Sequence, residues 1–157
     1  MGLLAAVRPD SWNLPLFLHV LGAMVAVGAL VLALLYLAGA WKGRSTVLLR
    51  AAYRALVLGA LPGFLVMRVA AQWLYAEEKL DELPTEPAWV DVGYVVGDAG
   101  LLFLLVATVV AGVSSRRAVA AGAANANATA IRVATGFAGL MLVAYLVAVW
   151  AMTVKPA

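Results

Sequence analysis

The chain contains no cysteine and a single histidine, His19. The first absence excludes disulfides, thiolate metal sites and cysteine nucleophiles together. The second excludes a multi-histidine metal site, or a bis-histidine haem, built by one chain alone. Charge is also scarce: 12% of residues are Asp, Glu, Lys or Arg, where a soluble domain carries about 25%. No recognisable catalytic motif occurs, so no catalytic residue is assigned and a non-enzymatic role is favoured.

What takes the place of charge is apolar. Hydrophobic residues make up 66% of the 157 positions, and the mean hydropathy is +1.00. One soluble core of this size cannot hide that excess, since soluble domains are about 45–50% apolar. The composition therefore reads as an integral membrane protein with the lipid bilayer as its solvent. Between Asp10 and Lys42 there is no acid or base except His19, and about 20 apolar residues suffice to cross a hydrocarbon core. Four such spans are expected, near 14–41, 52–76, 89–113 and 131–153. The expected fold is all-α: one membrane domain over 1–157, a polytopic, antiparallel four-transmembrane-helix bundle. Strands are not expected, because these runs are continuous rather than alternating.

Charge placement sets the expected orientation. The segments after spans one and three hold Lys42, Arg44, Arg50, Arg54, Arg116, Arg117 and Arg132, and no acid. The opposite side holds Asp10, Glu77, Glu78, Asp81, Glu82, Glu86 and Asp91. Basic loops stay cytoplasmic, so both termini and the acidic loop are expected outside. The net charge of +3 thus belongs to the bilayer interface, and no nucleic-acid partner is expected. Trp12, Trp41, Trp73, Trp89 and Trp150 fall near span ends, where amphipathic rings favour the headgroup zone. A short surface helix is expected before Pro84 and Pro87, and the Ala/Gly/Asn-rich stretch 118–130 reads as a flexible connector. Asn127-Ala128-Thr129 matches a glycosylation acceptor but falls in a loop expected to be cytoplasmic. The Ala/Val/Leu-rich, Lys-poor composition points to a bacterial plasma (inner) membrane.

Ionisable side chains inside a span are costly and normally face a partner within the protein. Arg68 lies about eight residues from the acidic-loop end of span two, and Asp98 about eight residues into span three. Both then sit roughly 12 Å below the same boundary, which predicts an ion pair between adjacent antiparallel helices. Gln72 and Tyr75 share a helical face with Arg68, and Asp91 and Tyr94 share one with Asp98. Tyr145 on span four has a similar depth, and His19 sits about a turn inside span one. Gly22, Ala23 and Ala26 follow on the face of His19, which turns that face towards a neighbouring helix. The cytoplasmic half of each span reads as nearly pure Leu, Val and Ala. Arg68, Asp98, His19, Gln72, Tyr94, Tyr145 and Asp91 are the candidate ligand-, ion- or proton-binding residues. A purely structural reading of the same residues is a pair that only fixes helix register.

Gly59-xxx-Gly63 and Gly93-xxx-Gly97, with Gly28 and Gly100, predict close helix approach, whereas Leu104 reads as a surface position. Pro62 removes a backbone donor and predicts a kink before Arg68.

The run Phe17-Leu18-His19-Val20-Leu21-Gly22, continuing to Val27-Gly28, resembles the opening helix of uncharacterised small four-helix bacterial integral membrane protein families. These lie near the membrane domain of copper-resistance D-type proteins. Leu61-Pro62-Gly63-Phe64 is similar to a Pro-Gly element of the same group. The resemblance implies a four-helix bundle, no settled activity, and His19 as the residue of most weight. Copper handling does not follow from it, because the chain has no Cys, no second His and no Met-rich outer loop.

Three roles remain open at this stage. The first is a transport or binding protein using the outer polar cluster as a homo-oligomer, with no cofactor. The second is an accessory or assembly subunit docked to a partner membrane subunit. The third is a haem protein using His19, across a dimer axis or with a weak second ligand. A fourth, weaker reading is an enzyme in which Asp98, His19 and Arg68 act on a lipid headgroup, without any recognised catalytic spacing.

Overall fold

A computed structural model describes residues 10–43, 45–82, 84, 87–121 and 127–154. Arg44, Glu86, the termini and residues 122–126 of the inner loop, all used in the orientation argument, lie outside them. Among the described residues the chain is all-helical, without strands. Four helices are long and apolar enough to cross a membrane: α1 (Asn13–Gly43), α2 (Thr46–Glu77), α3 (Ala88–Ala121) and α4 (Ala128–Val154). Each covers one expected span, and α2 and α3 extend well past it at the basic end.

Those extensions have local causes. Ser45 Oγ accepts the Leu48 N–H at 3.3 Å and starts α2 six residues before the expected span. Arg50 and Arg54 then ride on an amphipathic first segment whose Leu49 and Ala52 are buried. The stretch 118–130 is not simply a connector: α3 runs to Ala121 and α4 begins at Ala128. Alanine carries the highest helix propensity, so an Ala-rich stretch continues a helix it was expected to end. Asn127 is the cap of α4, its Oδ1 accepting the N–H groups of Thr129 (3.0 Å) and Ala130 (3.3 Å). The expected surface helix is a single 3-10 turn, Leu80–Glu82, held by the Lys79–Glu82 ion pair at 3.4 Å.

Pro62 acts upstream of itself. The residues Leu56–Ala60 form a π turn, and the Leu61 N–H reaches back to the Leu56 carbonyl. Proline cannot donate to Leu58 and its ring crowds that carbonyl; the wider π turn is how the helix absorbs the conflict.

One core joins all four helices. Leu30, Ala33 and Leu37 of α1 meet Leu49, Leu56, Ala60 and Phe64 of α2. Leu104, Ala107 and Ala111 of α3 and Ile131, Ala134, Ala138 and Met141 of α4 complete it. Leu104 is fully buried, so its reading as a surface position is corrected: it lies on the α3 stripe with Ala107 and Ala111. The basic-end half is also not purely aliphatic, because Thr108, Ser114 and Ser115 are buried there. Thr108 satisfies its hydroxyl on the Leu104 carbonyl at 2.7 Å.

The tightest helix contact is between α1 and α2. A Cβ on Gly22 would stand 2.5 Å from the Met67 nitrogen, and one on Gly63 would stand 2.8 Å from the Ala26 nitrogen. Backbone meets backbone there, as the small residues following His19 predict. Gly28 faces open space and takes no part in such an approach.

Candidate functional site

The starts of α1 and α3 and the ends of α2 and α4 come together around one cavity of about 160 Å³, partly open and with mostly apolar walls. Because α2 is drawn against α1 through Gly22 and Gly63, its second half stands off from α3, and side chains rather than backbones bridge the gap. Arg68 Nη2 donates to Asp98 Oδ1 at 2.9 Å, the ion pair that equal depth predicts. One turn on, Gln72 Nε2 donates to the Tyr94 hydroxyl at 3.1 Å. The Arg68 guanidinium lies over the Tyr94 ring, 4.8 Å from its centroid, and Tyr75 meets that ring edge-on at 5.8 Å. Gly97 makes room for the guanidinium: a Cβ there would sit 3.3 Å from Arg68 Cζ. The two partners are unequally covered, with Arg68 25% and Asp98 74% exposed.

His19 enters from α1. Its Nδ1 lies 3.1 Å from the Met67 carbonyl oxygen. A carbonyl can only accept, so Nδ1 carries a proton in this contact. Tyr145 enters from α4 and is 4% exposed, with its ring edge-on to Phe64 at 6.5 Å. Its hydroxyl is buried and has no hydrogen-bond partner. Buried hydroxyls are nearly always satisfied, and Tyr145 is one of the residues that line the cavity.

The cavity thus collects His19, Arg68, Gln72, Tyr94 and Tyr145. Asp98 lies beside it, bonded to Arg68. Asp91 is not brought in: it is exposed on the first turn of α3 and is absent from the lining. Sequence reasoning missed Ala148, Val149 and Met152, which complete the wall on the Tyr145 face of α4. Their i, i+3, i+4, i+7 spacing from Tyr145 carried the signal. It also missed the Met67 carbonyl, which no side-chain pattern reveals.

The space suits a small group. A cavity of about 150 Å³ takes a single benzene ring. Among the described residues no three His, Cys, Asp or Glu side chains converge as a metal site. Below the cavity, the packed residues Phe64, Met141 and Leu104 are fully buried and offer no polar continuation. The chemistry available is recognition: the polar side chains of Arg68, His19 and Tyr145 in apolar walls. No family model, curated protein or solved structure matches this chain.

Proposed function

We propose that this protein is a plasma-membrane binding protein that holds a small, polar-headed ligand in the outer half of an antiparallel four-helix bundle. Both termini face outward in this reading. The observation that carries it is the buried, unpartnered hydroxyl of Tyr145, a residue that lines a ring-sized cavity. Leaving such a group unsatisfied costs about 1–3 kcal/mol, and a ligand oxygen accepting from it removes that cost. The closed core beneath favours a one-sided pocket over a through-pore, so any transport role calls for rearrangement or further subunits. The likeness of the α1 opening to the small four-helix families adds weight to His19.

Asp98 supports an oligomeric form. Its carboxylate is 74% exposed on a surface this reading assigns to hydrocarbon, where an uncovered charge is costly. A second copy covering that face is the simplest remedy; an unrelated subunit, as in the accessory reading, would serve the same end.

The test is co-purification. Protein extracted from its native membranes should carry a small molecule, detected by mass spectrometry of the organic extract. Ala148→Trp, which fills the cavity, should abolish it. Tyr145→Phe should reduce ligand retention while the ligand-free protein becomes more heat-stable, since the orphan hydroxyl is gone. Identical extracts from all three proteins would defeat the proposal.

A further inference from the structure

At the opposite end, α1 and α2 enclose a second, more open groove of about 620 Å³. One face of each helix builds it: Ala29, Leu32 and Tyr36 on α1, and a stripe from Val47 to Gly59 on α2 that includes Arg50, Arg54 and Leu58. The α2 stripe is about 18 Å long at 1.5 Å per residue, close to one leaflet, half of a core about 30 Å thick. Polar groups and apolar wall are therefore combined in one slot. Arg50 and Arg54 are one helical turn apart and Tyr36 faces them across the groove, while Leu32 and Leu58 contribute aliphatic surface.

The arginines lack internal counter-charge. No acid occurs between residues 11 and 76, and none follows Asp98. Neither Arg50 nor Arg54 has a carboxylate partner among the described residues. Arg132, also at this end, differs in lying over the Trp41 ring at 4.9 Å. We infer that the α1–α2 groove binds an anionic phospholipid, with Arg50, Arg54 and Tyr36 holding the phosphate-bearing headgroup and an acyl chain lying along Leu32 and Leu58. A zwitterionic lipid offers the same chain but no net charge to the two guanidiniums. The inference needs the membrane reading but not the ligand cavity, which is at the other end of the helices.

Native mass spectrometry of the detergent-purified protein titrated with dioleoyl-phosphatidylglycerol or dioleoyl-phosphatidylcholine tests it. The wild type should retain phosphatidylglycerol preferentially. A juxtamembrane arginine contributes about fivefold to anionic-lipid binding, so R50Q/R54Q should lower that preference by roughly 30-fold. R116Q/R117Q removes equal charge from exposed positions outside the groove and should leave the preference in place. A51W keeps both arginines but blocks the slot, and should also lose the lipid. Equal losses in R50Q/R54Q and R116Q/R117Q would overturn the inference in favour of diffuse charge. Wild-type retention by A51W would overturn it too. So would heat protection by inorganic phosphate as strong as that by phosphatidylglycerol, because phosphate supplies the charge without the chain.

Discussion

At the scale of single residues, the Arg68–Asp98 pair is where sequence and environment speak most directly to each other. An exposed pair in water is worth about 0–1 kcal/mol. Removing one partner of a buried pair costs about 3–5 kcal/mol, because the other charge is stranded. Asp98 looks exposed by area, yet hydrocarbon on that surface would make it behave as a buried charge. In lipid nanodiscs, Arg68→Ala and Asp98→Ala should each lower the unfolding temperature sharply, and the double variant should cost less than their sum. The coupling should exceed the ~1 kcal/mol of an exposed pair. Additive effects would show that the two side chains do not depend on each other, and the reading of this end as a low-dielectric site would fall with them. The pair was legible because charges are so rare in these spans that depth alone matches them. The His19–Met67 carbonyl bond was not, because it depends on how closely α2 approaches α1.

At the scale of helices, small residues decide which neighbours touch. The α1–α2 contact at Gly22 and Gly63 is backbone against backbone, so even a methyl group has no flexible neighbour to displace. Gly22→Ala and Gly63→Ala should each destabilise the protein in detergent by several degrees, whereas Gly28→Ala, facing open space, should be neutral or slightly stabilising through helix propensity. Equal melting temperatures for all three would mean that the close approach is absent. Separating α1 from α2 should also widen the ring-sized cavity, since the position of Met67 and Arg68 follows from that contact. Helix existence was legible from hydropathy throughout; helix ends were not. The Ala-rich stretch 118–130 reads as low complexity by composition, but Asn127 caps a helix there and α3 continues through Ala118. Pro62 was legible as a disturbance, yet the π turn it accompanies lies a turn earlier, because the conflict falls on the Leu58 carbonyl rather than on the proline itself.

At the scale of the whole molecule, two chemically different ends face each other along four apolar helices. Leu35, Leu58, Leu102 and Val143 are among the large apolar side chains exposed around the middle of the helices, a surface that water would not tolerate in such continuity. Among the described residues, Asp10, Glu77, Glu78, Asp81, Glu82, Asp91 and Asp98 fall at one end or just inside it, while Lys42, Arg50, Arg54, Arg116, Arg117 and Arg132 crowd the other without an acid among them. That asymmetry predicts direction, because basic segments are retained in the cytoplasm. The chain's lack of cysteine makes the test clean, since any introduced thiol is the only one present. Glu82→Cys, in the acidic 3-10 turn, should react with a membrane-impermeant maleimide on intact cells. Asn127→Cys, at the cap of α4, should react only after the membrane is opened. Labelling of both from the outside would break the four-span topology. The reverse pattern would keep the four spans but turn the molecule over, moving the Tyr145 cavity to the cytoplasmic leaflet and the Arg50–Arg54 groove to the outer one.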